Sequence, residues 1–202
     1  MSHSEQRVIA LKEWASAIRA LEEGSQILLM RKGGIVEETR SFALKENAFY
    51  LYPTYEHQRS ELLKPEHRHL VEESLQDWSP EQQTASIRLY AEVTDDLEIH
   101  DQEQLNLLQG HHIWTDTFAE ERLRWKKKHP LHILLLRVYI LERPVDIHIE
   151  EQYIGCKSWI SIPSGPVTSE MTPVLDAAEF EAMRTAALQS LQKRDIPAIK
   201  LD

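Results

Sequence analysis

The stretch Leu131-His-Ile-Leu-Leu-Leu-Arg-Val-Tyr-Ile-Leu141, continued by Glu142-Arg-Pro-Val-Asp-Ile-His-Ile149, decides the fold class. Its first half is apolar at nearly every position and rich in β-branched and aliphatic residues. A strand covered on both faces reads this way, whereas a surface helix shows polar residues at regular helical intervals. Val145, Ile147 and Ile149 then alternate with Asp146, His148 and Glu150, the period of a half-exposed strand. Arg143-Pro144 reads as the turn between them, making the second half the antiparallel neighbour of the first.

Further strands lie outward of this pair. Ile87, Leu89, Ala91 and Val93 alternate with Arg88, Tyr90, Glu92 and Thr94, up to a stop at Asp95-Asp96. Ile27-Leu-Leu-Met30 is short and uniformly apolar, a buried strand followed by an Arg31-Lys-Gly-Gly34 turn. Phe49-Tyr-Leu-Tyr52 is stopped by Pro53, Trp159-Ile-Ser-Ile162 is another short strand, and residues 163–173 read as a loop.

Helices fill the intervals. Leu11, Trp14, Ala15, Ile18 and Leu21 predict an amphipathic helix over residues 8–22, ended by Gly24. Pro65 suits a first helical position, with Leu70, Val71, Leu75 and Trp78 as its buried stripe, and Ser79 to Gln82 has capping-box spacing. Asp101 with Gln104 caps a helix carrying Leu105 and Leu108, and Thr117 with Glu120 caps another running to Lys128. The last helix has the clearest start, with Asp176 and Glu179 as a capping box and Leu175 stapled to Phe180. The expectation is one α+β domain over residues 1–202, with a mixed or antiparallel sheet, several packed helices, and loose termini at 1–7 and 196–202.

The composition, 42% hydrophobic and 28% charged, is that of a globular chain. Cys156 is the only cysteine, so no disulfide framework exists within the chain. Neither a signal-like N-terminus nor a long apolar run is present, which leads to the expectation of a cytoplasmic protein without a membrane partner. The net charge of −10 opposes non-specific attraction of a polyanion by the whole surface and leaves only a local basic patch for that purpose.

Five segments in order, Ala10-Leu-Lys-Glu-Trp14, Arg31-Lys-Gly-Gly-Ile35, Tyr52-Pro-Thr-Tyr-Glu-His-Gln58, Leu135-Leu-Arg-Val-Tyr139 and Gly155-Cys-Lys-Ser-Trp159, resemble the bacterial "domain of unknown function 1802" family over roughly residues 8–160. The resemblance implies a nucleic-acid or restriction-modification setting, because some members are joined to Mrr-type restriction endonuclease domains. A second resemblance, to ASCH domains and their PUA-like barrels, is carried by Gly24 and Arg31, with Gln26 standing where that pattern has a Lys. It implies a small barrel as one form of the sheet.

The chemistry narrows from there. Mrr-type nucleases pair an Asp with Glu-x-Lys, in which carboxylates hold Mg²⁺ and the lysine orients water. No Asp or Glu here is followed two residues later by Lys. Gly-x-Gly-x-x-Gly and phosphate-loop patterns are missing as well. His67 with His69, His111 with His112, and His129 with His132 lack the spacing that sets two imidazoles on one helical face, so no metal or other cofactor is expected.

Four segments carry the candidate binding residues. Arg31 and Lys32 can offer cations to a phosphate, or simply decorate a turn. Tyr55, His57 and Gln58 follow a strand, where Tyr55 and Gln58 can read a base edge or His57 can act as a base; the alternative is a helix entry. Arg124, Lys126 and Lys127 belong to the basic run Arg122-Leu-Arg-Trp-Lys-Lys-Lys-His129, which can bind nucleic acid or complement a helix dipole with Trp125 in the core. Lys157 and Trp159 flank Cys156, whose thiol is a nucleophile or a small buried apolar group. The expected function is an accessory or recognition domain, not itself a nuclease and not assigned a reaction, with nucleic acid or a nuclease subunit as partner. The alternatives are a small-molecule enzyme built on Arg31, His57 and Cys156, and a protein–protein module.

Overall fold

The computed structural model describes residues 7–32, 42–76, 78–125, 129–163 and 170–192. Among them the strands are β1 (Arg7–Trp14), β2 (Leu28–Arg31), β3 (Ala48–Thr54), β4 (Thr84–Ile99), β5 (Leu131–His148), β6 (Trp159–Pro163) and β7 (Met171–Pro173). The helices are α1 (Ala15–Glu22), α2 (His69–Leu75), α3 (Gln102–Asn106), α4 (Asp116–Arg124) and α5 (Ala177–Gln192). All seven strands join one mixed sheet in the order β2-β5-β4-β3-β1-β6, with β7 also paired to β5. The fold is therefore α+β in one domain. Its sheet is open, with β2 and β6 at the two ends of the strand order, and does not close into a PUA-like barrel.

The long antiparallel pair β4–β5 is the spine. Ile87 faces Val145 while Leu89 faces Ile140, so two steps along β4 span five along β5. Residues 141–144 therefore bulge, and Pro144 sits where no ladder N–H is needed. Arg143-Pro144 is thus a bulge rather than a hairpin turn, and Val145 to His148 continue β5. Both halves find their partner in β4, which runs through Asp95-Asp96 to Ile99 instead of stopping there. A second register break at Thr94 turns Asp95 toward α5, where its carboxylate receives two hydrogen bonds from Arg184 at 2.6 and 2.8 Å.

Residues 8–14 form a strand, not the first turns of a helix. Ile9 and Leu11 pack with the larger core cluster, between the sheet and the helices, while Val8 and Ala10 pack with a smaller one. A strand covered on both faces loses its alternation, and its apolar positions merge into the true helical period that begins at Ala15. α1 ends where expected, at Gly24 with φ 70°, and a Cβ there would lie 2.6 Å from Leu175 Cδ2.

Other boundaries also move. β3 runs through Pro53, because β4 pairs only with its first residues and leaves the proline a free side. Thr115, not Thr117, caps α4 by accepting from the Phe118 N–H at 3.3 Å, and this helix stops at Arg124 with Trp125 extended. Ser79 to Gln82 make a hydrogen-bonded turn without a helix, and Met171–Pro173 inside the expected loop are β7. Asp176 and Glu179 form the expected reciprocal cap, at 2.8 and 3.0 Å. No helix of the described residues is long and apolar enough to cross a membrane.

Candidate functional site

β1 and β3 are the parallel pair of this sheet, with Glu13 opposite Pro53 and Trp14 opposite Thr54. Parallel strands finish at the same end, so the residues after β1 and after β3 meet there. β6 runs antiparallel to β1 and therefore starts at that end, with Lys12 N–H donating to Ser158 O at 2.8 Å. Arg31, the last residue of β2, and Arg122 of α4 complete the surround. The result is a cleft of about 190 Å³ holding Lys12, Glu13, Trp14, Arg31, Lys32, Glu56, His57, Arg122, Cys156 and Lys157 among its walls.

Its floor is fixed by Glu13. This buried carboxylate accepts from the Trp14 N–H at 2.8 Å and from Arg31 Nη1 at 2.8 Å, while Arg31 also donates to Lys12 O at 3.2 Å. Thr54 Oγ1 donates to Glu13 O and ties β3 to the same place. The Arg31 guanidinium lies 5.7 Å from the Phe42 ring centroid, and its buried Nε has no hydrogen-bond partner among the described residues.

The lysines spend their donors on carbonyl oxygens. Lys12 Nζ donates to Tyr153 O and Gly155 O, Lys32 Nζ to Leu123 O at 2.6 Å, and Lys157 Nζ to Gln152 O at 3.0 Å. These contacts hold the side chains without cancelling their charge. Desolvation lowers the pKa of Lys12 and of Lys32, the mark of ammonium groups withdrawn from water. Arg122 stacks on the Phe118 and Trp14 rings, 5.1 and 5.9 Å from their centroids, and desolvation lowers its pKa too. Glu13 partly offsets that lowering, so the carboxylate paired with Arg31 attracts Arg122 as well.

The 52–58 segment divides. Thr54, Glu56 and His57 line the cleft, and His57 holds a left-handed backbone with φ 66°. Tyr55 stacks on Trp78 at 5.1 Å and lines a separate cavity of about 340 Å³ with Arg19 and Arg88. Gln58 is buried, accepting from Ser16 N–H at 3.1 Å and donating to Ser74 Oγ at 3.0 Å, so it anchors α1 to α2.

Arg31, Lys32, His57 and Lys157 are thus brought together, with Cys156 beside them. Trp159 is not with them: it is buried against Phe42 and Phe49, and its indole N–H donates to Ala43 O at 2.9 Å. Arg124 is exposed and paired to Glu120 at 3.3 Å, while Lys126 and Lys127 lie outside the described residues. Trp125 is 49% exposed rather than in the core, because α4 ends one residue before it. Lys12 and Glu13 escape a reading of the sequence that places them on a helix. Two opposite charges inside the apolar run from Ile9 to Trp14 are the signal they leave. Among the described residues no group of three or more His, Cys, Asp and Glu side chains is placed to hold a metal ion.

No curated protein and no solved structure matches the chain. The family described as "Domain of unknown function (DUF1802)" matches residues 10–186, most of the chain's length, and the chain belongs to it.

Proposed function

We propose that this chain is a recognition domain that binds nucleic acid through its phosphates at the β1–β3 cleft, with no nuclease chemistry of its own. One observation carries the reading: a chain of net charge −10 gathers Lys12, Arg31, Lys32, Arg122 and Lys157 around one cleft against only Glu13 and Glu56. Clustered, partly desolvated cations repel one another, and an anion bound among them relieves that cost. Glu13 is already paired to Arg31, which leaves Lys12, Lys32, Arg122 and Lys157 among the lining side chains in excess of Glu56. Titration of single-stranded oligonucleotides at several salt concentrations tests it. Binding that weakens with salt, and a Lys157→Glu variant that weakens it about tenfold and flattens the salt slope by about one, are the expected results. Absence of binding at low salt would remove the reading.

A second reading is favoured by the meeting of Arg31, His57 and Cys156 in the same cleft. In a small-molecule enzyme the exposed Cys156 thiol would act as nucleophile, with His57 taking its proton. His57 and Cys156 share no hydrogen bond among the described residues, which is why binding is preferred. Cys156→Ala separates the two: oligonucleotide binding at unchanged affinity belongs to the recognition domain.

A further inference from the structure

We infer that the cleft takes the terminal phosphomonoester of a nucleic-acid strand rather than the diester backbone along its length. The inference rests on the phosphate-binding reading above and specifies which phosphate is bound.

Three features of the molecule point to an end. The first is charge. Glu13 is paired to Arg31 and also attracts Arg122, Glu56 attracts Lys12, and the three lysines are held by carbonyls, so five cations share two carboxylates. Several cations are thus left for one ligand group. A phosphomonoester carries roughly −1.5 to −2 at neutral pH, about twice a diester, so it compensates this excess better. Arg31 is itself held in place before any ligand arrives, by Glu13 and by Lys12 O. Preorganised guanidinium donors suit the several oxygens of a monoester.

The second feature is size. At about 190 Å³ the cleft is smaller than the roughly 300–1,000 Å³ that small-molecule pockets occupy. It can enclose a head group, and the rest of the ligand must lie outside. The third is the field of the whole chain. A protein of net charge −10 repels a strand laid across its surface, because every further phosphate meets an acidic molecule. A strand docked by its end places one phosphate among the cations and directs the others away.

The experiment compares the full chain's affinity, by fluorescence anisotropy, for three short single strands of one sequence: 5′-phosphorylated, 3′-phosphorylated, and hydroxyl at both ends. One phosphorylated end, or both, is expected to bind about tenfold tighter than the hydroxyl strand, and inorganic phosphate is expected to erase the difference. The preference should collapse in Arg122→Leu. Because Arg122 packs on Trp14 and Phe118, Lys157→Gln is the companion variant and should reduce the preference without disturbing the core. Equal affinity for all three strands, weakened equally by both variants, would overturn the end-specific inference and leave phosphate binding standing. A preference unchanged in both variants would place the monoester elsewhere and overturn it. No binding of any strand would overturn both.

Discussion

Four consecutive residues, Tyr55 to Gln58, have three destinations, and His57 is where the chain changes direction. Its φ of 66° is in the left-handed region, which costs a residue with a Cβ about 1–2 kcal/mol relative to ordinary backbone. With that turn, Glu56 and His57 face the cleft while Gln58 enters the core between α1 and α2. A glycine adopts this conformation freely. His57→Gly is therefore expected to raise stability by about 1 kcal/mol in chemical denaturation, while weakening oligonucleotide binding. A fall in stability would mean that the imidazole supplies packing worth more than the backbone strain. The sequence makes this segment visible as a dense polar stretch after a strand. It does not reveal which side chain goes where, because the left-handed residue is a histidine and not the glycine that would announce it.

At the scale of elements, what was legible depended on whether one face or two were covered. β4 shows its alternation in the sequence because one face stays open, and α5 shows its start because capping is a local matter of side chain and backbone. β1 was hidden, since both of its faces are packed and its apolar residues run straight into α1. The same burial hid Lys12 and Glu13, and with them half of the cleft. The capping box of α5 gives a quantitative check. Asp176 Oδ1 accepts from the Glu179 N–H, and Glu179 returns a bond to the Asp176 N–H. Asp176→Ala is expected to cost about 1 kcal/mol. Faster amide exchange should appear in the first turn of α5 and not in β5. Protection unchanged in that turn would show that Phe180 and the Arg184–Asp95 contact hold the helix without its cap.

For the whole molecule, the α+β class and most strand positions could be read from the sequence, whereas the assembly of the cleft could not. It depends on β1 and β3 running parallel, a long-range pairing with no local signature. A second global consequence with no sequence signature is the expected dependence of stability on pH. His112 is buried, and desolvation, with Lys64 adding to it, pushes its pKa down to about 3. The unfolded chain binds that proton near the ordinary histidine value of about 6.5. Between those two values unfolding takes up a proton, so stability falls as the pH drops, by at most about 1.4 kcal/mol per unit. His132 behaves oppositely. Its hydrogen bond with Asp96 raises its pKa, so its contribution is complete below the unfolded value and disappears as pH rises through the folded one. Asp95, held by Arg184, has a lowered pKa; its contribution is complete above the ordinary carboxylate value and fades below it. The window from about pH 4.5 to 6.5 therefore holds His112 together with His67, whose pKa desolvation also lowers, and the two act in the same direction there. Denaturant unfolding across that window should show stability rising with pH, and His112→Leu should flatten the rise. An equally steep rise in the variant would assign the acid sensitivity to another group, His67 first among them.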